Sequence, residues 1–235
     1  MNKKKIAALL VAGVMTVGVV GGTLAWFTSN DSVTNIFETG KVNNPDDANG
    51  NGVEIWEDYT PATSVIPGDT TTKLVQTQNT TDYDSFIRVK ITPQWEKEKV
   101  TIDDKEIQLF ADKIILNFGE NLGDTDGKWL KGDDGYYYYM GKVAGGKFTN
   151  PLLESVTLKS DAGNEYRGVK FDVLVEAESI QADNNAHNDQ WKDAGENVSS
   201  RLDYYENQQA TGEVNKYNEH VTITNTDTRE VTVTP

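Results

Sequence analysis

Val169-Lys170-Phe171-Asp172-Val173-Leu174-Val175-Glu176-Ala177-Glu178-Ser179-Ile180 is the stretch on which the fold turns. Val169, Phe171, Val173, Val175 and Ala177 alternate with Lys170, Asp172, Glu176 and Glu178, and Leu174 alone breaks the pattern. A side-chain period of two belongs to a strand with one face in a core and the other in solvent. A central strand packed on one side is therefore expected here.

Working outward, Ser85 to Thr92 repeats the pattern, with Ile87, Val89 and Ile91 apolar and Arg88, Lys90 and Thr92 polar, and Pro93 is expected to end it. Lys73 to Thr77 and Leu152 to Leu158 read as further strands. Lys128 to Lys131 and Tyr136 to Met140 flank Gly132-Asp133-Asp134-Gly135, which predicts a hairpin with tyrosines on both faces of a half-buried strand. Those rings also permit a carbohydrate-binding reading, although aromatics are ordinary strand formers. Glu96 to Phe118 stays open: Val100 and Ile102 suit a strand, whereas Ile107, Phe110, Ala111 and Ile114 recur at helical spacing. Gln181 to Asn197 is an Asn/Asp-rich loop. A short helix follows over Asn197 to Gln208, carrying Val198, Leu202 and Tyr205, and residues 209–235 form an extension with a terminal hairpin, His220 to Thr224 and Glu230 to Thr234. Together these predict an all-β, two-sheet antiparallel sandwich, jelly-roll-like, with a short helix or two in its connections, over residues 53–235.

The chain opens with a different signal. Lys3, Lys4 and Lys5 precede an apolar run from Ile6 to Val20, and Gly21-Gly22-Thr23-Leu24-Ala25 follows. Positive, apolar and small-residue regions in that order predict a secretory signal peptide over residues 1–25, cut after Ala25 or after Trp26. A membrane anchor over Ile6 to Phe27 is the alternative, disfavoured by the glycine pair and by the lack of a basic cluster after the run. Residues 26–52 then hold a short β-prone piece, Val33 to Phe37, and an Asn/Asp/Gly-rich tether from Asn43 to Gly52.

The run GGTLAWFTSNDSVTNIFETGKV resembles the amino terminus of the TasA/camelysin family, with a looser likeness in the later strand-rich segments. The resemblance implies a secreted fibre protein of Gram-positive biofilms, located in the extracellular matrix or at the cell surface. The partners it implies are further copies of the chain, a SipW-type signal peptidase and a minor anchoring or assembly subunit. It further implies that an amino-terminal strand carrying Phe27, Val33, Ile36, Phe37 and Val42 is donated to the next subunit. Docking of that segment on its own domain, and covalent linkage of subunits through lysine and Asn/Asp side chains, are the alternatives. Camelysin-like members are classed as metalloproteases, so a surface metalloprotease stands as the enzymatic alternative and a monomeric carbohydrate-binding adhesin as the other.

Composition bounds these readings. Asp and Glu number 37 against 22 Lys and Arg, a formal charge of −15 that becomes more negative once Lys3 to Lys5 are removed. Such a surface disfavours nucleic acid. There is no cysteine, so neither disulfides nor thiolate metal sites contribute. The two histidines, His187 and His220, lie in no HExxH motif and read as exposed loop residues. No catalytic residue and no cofactor are expected. One weak calcium candidate remains: Asp47, Asn49, Asn51, Gly52 and Asp58 fall at positions 1, 3, 5, 6 and 12 of the calcium-loop pattern, but a strand follows where a helix belongs.

Overall fold

The computed structural model describes residues 28–36, 52–59, 65–210, 221–225 and 230–233. The chain runs through β1 (Thr28–Ile36), β2 (Val53–Tyr59), β3 (Thr70–Asn79), β4 (Ser85–Trp95), β5 (Lys99–Ile102), β6 (Lys105–Gln108), β7 (Ile114–Asn117), β8 (Trp129–Lys131), β9 (Tyr137–Tyr139), β10 (Leu153–Leu158) and β11 (Phe171–Gln181). Then come α1 (Ala186–Gln190), α2 (Glu196–Glu206), β12 (Val221–Asn225) and β13 (Glu230–Val233). One sheet has the order β1-β11-β4-β9-β8 and the other β2-β3-β10-β7, with neighbouring strands antiparallel throughout. The fold is an all-β sandwich.

β11 is central, as its alternation requires. It pairs with β1 on one side and with β4 on the other, and Phe171, Val173, Val175 and Ala177 are buried while Asp172, Leu174, Glu176 and Glu178 are half-exposed. Ile87, Val89 and Ile91 of β4 meet the same inner core, which Val53, Ile55, Val75, Leu153 and Val156 complete from the opposite sheet. Two strands with one apolar face each cannot shield those faces separately. Packing sheet on sheet removes both from water.

Pro93 does not end its strand. β4 continues to Trp95, with Pro93 opposite Val173. Among the described residues β9 pairs with β4 only at Arg88 and Val89, so at Pro93 one side of β4 has no partner strand, a position where proline is tolerated. Nor is β9 half-buried. Tyr137 and Tyr139 enter the sandwich core, while Tyr138 points the other way and is equally enclosed. Its burial comes from a second cluster, in which Ala186, Trp191, Ala194, Val198, Leu202 and Tyr205 of the helical segment cover Phe86, Tyr138, Met140 and Ile180 on the outer face of the sheet. The rings of Tyr137, Tyr138 and Tyr139 are thereby closed to a carbohydrate, while Tyr136 is half-buried.

The open segment resolves as strands. β5 and β6 form a hairpin whose turn, Asp103-Asp104, has φ of 48° and 60°, the left-handed geometry of a tight two-residue hairpin. The helical spacing of Ile107, Phe110, Ala111 and Ile114 arises from residues divided among β6, a 3₁₀ turn at Ala111–Lys113 and β7. The terminal hairpin forms as β12 and β13. Among the described residues no helix is long and apolar enough to cross a membrane.

Candidate functional site

Two features carry functional content, a sheet edge and a polar cluster between helices. At the edge, β1 runs antiparallel to β11 from Thr28 opposite Ile180 to Ile36 opposite Asp172. Val33 stands opposite Val175, a core residue, and Ile36 opposite Asp172. β1 is the outermost strand of its sheet, and its pairing within that sheet is to β11 alone. The segment expected to reach a neighbour thus lies on its own domain in the single chain. Ala25, Trp26, Phe27, Phe37 and Val42 lie outside the described residues, as do the calcium candidates Asp47, Asn49 and Asn51. Asp58 belongs to β2, opposite Leu74, and burial raises its carboxyl above the usual carboxylate range.

The second feature overturns the expectation for His187. After β11 the chain reverses at Asn184 and Asn185, both left-handed with φ of 60° and 58°, a conformation asparagine tolerates better than most residues. α1 therefore starts pointing back at the sheet. His187 is 2% exposed, its ring 5.3 Å from that of Phe86 and nearly perpendicular to it. Its Nε2 is 2.8 Å from Asp203 Oδ1, which also accepts from Asn188 Nδ2 at 2.7 Å. On the far side of the ring, Nδ1 lies 3.8 Å from Glu206 Oε2, while Glu206 Oε1 accepts from the Asn185 backbone N–H at 3.0 Å. The hydrogen bond from His187 holds the Asp203 carboxyl below its usual range.

A carboxylate at Nε2 calls for a proton there. In the neutral ring Nδ1 then carries the lone pair, and that nitrogen is buried and without a hydrogen-bond partner. The sequence carried one signal that could have found this. Val198, Leu202 and Tyr205 fix the apolar face of α2, and Asp203 and Glu206, three residues apart beside that face, are placed to meet whatever packs at the rim.

Beside α2, an open cleft of about 450 Å³ is lined by Asp124, Asp126, Arg201, Tyr204 and Gln208 among others. Arg201 is paired with Asp124 across it, and Tyr204 is 55% exposed.

Fold and sites together define an all-β sandwich that carries an edge strand from its amino-terminal segment and a helical cap over one outer face. The chain belongs to the camelysin metallo-endopeptidase family, whose pattern matches residues 1–132. No curated protein and no solved structure matches it. The matched segment ends within the β8–β9 hairpin, so both histidines and the whole helical cap lie beyond it.

The metal that the family's description implies can be tested against these residues. Among the described residues, His187, Asp203 and Glu206 form a group whose ligand atoms lie within 4.8 Å of one another. An unpartnered Nδ1 facing a carboxylate suits a cation. A catalytic zinc, however, takes three protein ligands and keeps a position open to substrate. Here the side chain of His187 is 1% exposed and packs edge-on against Phe86, whereas those of Asp203 and Glu206 are 52% and 15% exposed, so any approach to the group runs past the two carboxylates and not past the ring. The group could hold a metal ion, but a ligand set with its one imidazole this deeply buried fits a hydrolytic centre poorly. If bound, the ion would supply a link between α1 and α2, with Asp203 fixing the ring orientation.

Proposed function

We propose that the mature chain is a secreted structural subunit of extracellular fibres, assembled head to tail by donation of β1 to the next copy. The observation that carries this reading is the placement of β1: an edge strand drawn from the segment just after the leader, paired within its sheet to β11 alone. Each pairing that β1 makes in its own subunit can be made, in the same register, with the β11 edge of a neighbour. Exchange therefore conserves the hydrogen bonds, each worth about 0.5–1.5 kcal/mol net. Because the donated strand and the vacated edge are different surfaces, the contact is heterologous and propagates. Removal of the leader after Ala25, or after Trp26, frees the strand from the membrane, which ties assembly to processing.

Deleting residues 26–42 tests this reading. Soluble monomers, restored to fibres by a peptide spanning those residues, are expected from size exclusion and electron microscopy. Fibres of undiminished length from the truncated chain would overturn it.

The family's description favours a second reading, a surface metallo-endopeptidase. The matched residues 1–132 contain no histidine and no cysteine, so a catalytic metal in that segment would rest on carboxylates alone. We expect the purified mature chain to leave casein intact with or without added zinc. Chelator-sensitive cleavage would establish the protease instead.

A further inference from the structure

The polar cluster beneath the helical cap has a property that packing alone does not explain. His187 Nδ1 is fully enclosed, carries the lone pair of the neutral ring and lies 3.8 Å from Glu206 Oε2, with no hydrogen bond between them. Two electron-rich groups held face to face in a water-poor site repel unless something positive lies between them. We propose that His187 Nδ1 and Glu206 Oε2 bind one divalent cation of the zinc class, which clamps α1 onto α2 and holds the cap against the Phe86 end of the sheet.

The spacing agrees with this occupant. Ligand atoms that each lie about 2.0–2.2 Å from a shared zinc are roughly 3.4 Å apart at a tetrahedral angle and at most about 4.4 Å apart, so the 3.8 Å gap admits the ion with a small rotation of the Glu206 carboxylate. The other ring nitrogen supports the same reading. A ligating histidine characteristically donates its second N–H to a carboxylate, which fixes the tautomer and turns the ring toward the metal. Asp203 is in that position at 2.8 Å, itself held by Asn188. Asp203 is thus a positioning residue, and His187 and Glu206 are the ligands. Glu206 is the wetter of the two, its side chain 15% exposed against 1% for His187, so water completes the coordination from its side. Nitrogen with carboxylate oxygen selects a borderline ion of the zinc type over calcium or magnesium, which take oxygen ligands. The inference does not depend on strand donation, and it assigns the metal no hydrolytic role.

The test uses the mature chain stripped with chelator and titrated with zinc chloride, read by calorimetry and by thermal unfolding. Saturable binding of one equivalent is expected, together with a higher melting temperature that chelator reverses. His187→Gln and Glu206→Gln should abolish both effects, while Asp203→Asn should weaken binding by about 10–100-fold. Circular dichroism of Glu206→Gln, a near-isosteric change, confirms that the variant is folded. Zinc binding unchanged in both ligand variants would place the ion on the acidic surface and overturn the proposal. So would a wild-type melting curve that zinc leaves unmoved while acidification alone raises it, because the occupant would then be a proton on Nδ1.

Discussion

Lys73 Nζ lies 2.8 Å from Glu57 Oε1, and the two side chains are 0% and 2% exposed. Lys73 shares its face of β3 with the core residue Val75, so this is an ion pair inside the sandwich. Burial lowers the lysine pKa, and Glu57 opposes that shift. Removing one partner of a buried ion pair leaves the other charge less well compensated out of water, a loss of about 3–5 kcal/mol. Lys73→Met and Glu57→Gln should each fall in that range by chemical denaturation. The double change Lys73→Met with Glu57→Gln should cost much less than the sum of the two, because no charge is left behind. Full additivity of the two single changes would show that the pair is not coupled.

The tyrosines of β9 predict the alkaline limit of the fold. Burial pushes Tyr139 up to about 12, and Tyr136 beside Glu178 also to about 12, both from 10.0, while Tyr138 is raised further. A folded pKa above the unfolded one means that the native state holds the proton more tightly. The stability from these groups is therefore complete below pH 10 and is lost as pH rises toward about 12. Phenolate absorbance should show these rings ionising together with unfolding. Tyr139→Phe should shift the alkaline transition upward. A transition unaffected by the substitution would remove Tyr139 from the account.

Arg88 anchors the sheet beneath the helical cap. Its Nε and one terminal nitrogen donate to Glu178 Oε2 at 2.8 and 2.5 Å, and the other terminal nitrogen donates to Asp134 Oδ2 at 3.0 Å and to the Tyr138 hydroxyl at 2.9 Å. The guanidinium also lies 4.1 Å from the Tyr136 ring centre and 5.0 Å from that of Trp191. A lysine ammonium cannot fork between two carboxylates while stacking on aromatic planes. Arg88→Lys should therefore recover little of the roughly 3 kcal/mol expected to be lost in Arg88→Ala. Trp191 fluorescence reports the loosening. An Arg88→Lys variant as stable as wild type would show that charge alone suffices.

Much of this architecture was legible because period two is a local signal. Ile87, Val89 and Ile91 against Arg88, Lys90 and Thr92 located the inner face of β4, and Val198, Leu202 and Tyr205 located that of α2. What escaped the sequence depended on partners brought from far along the chain. Phe86, Tyr138 and Ile180 are out of phase with the inward-facing residues of their strands, and the helical cap covers them together with Met140. His187 belongs to the same case. Its loop composition suggested exposure, but two left-handed asparagines turn it inward, and its carboxylate partners lie 16 and 19 residues later on α2. The strand over Lys73 to Thr77 was legible but the ion pair of Lys73 was not, because Glu57 sits on the neighbouring strand, where no local pattern shows it.

The placement of β1 permits a backbone test of strand donation that leaves side-chain packing aside. In an antiparallel edge pair, successive N–H groups point alternately toward the partner strand and away from it. Proline removes the N–H, so it should be harmful at every second position of β1 and tolerated at those between. A proline scan from Asn30 to Asn35 should produce this alternation in the stability of the monomer, since that range is paired with Glu178 to Val173 of β11. If the same strand, in the same register, joins one subunit to the next, fibre formation should fail at the same alternate positions and survive at the others. Fibre yield measured by sedentation of assembled material, alongside monomer melting temperature, gives the two profiles. Matching profiles support donation of β1 into the β11 edge. Fibres that form equally well with proline at every position would show that β1 makes no backbone ladder between subunits, and assembly would have to use another surface.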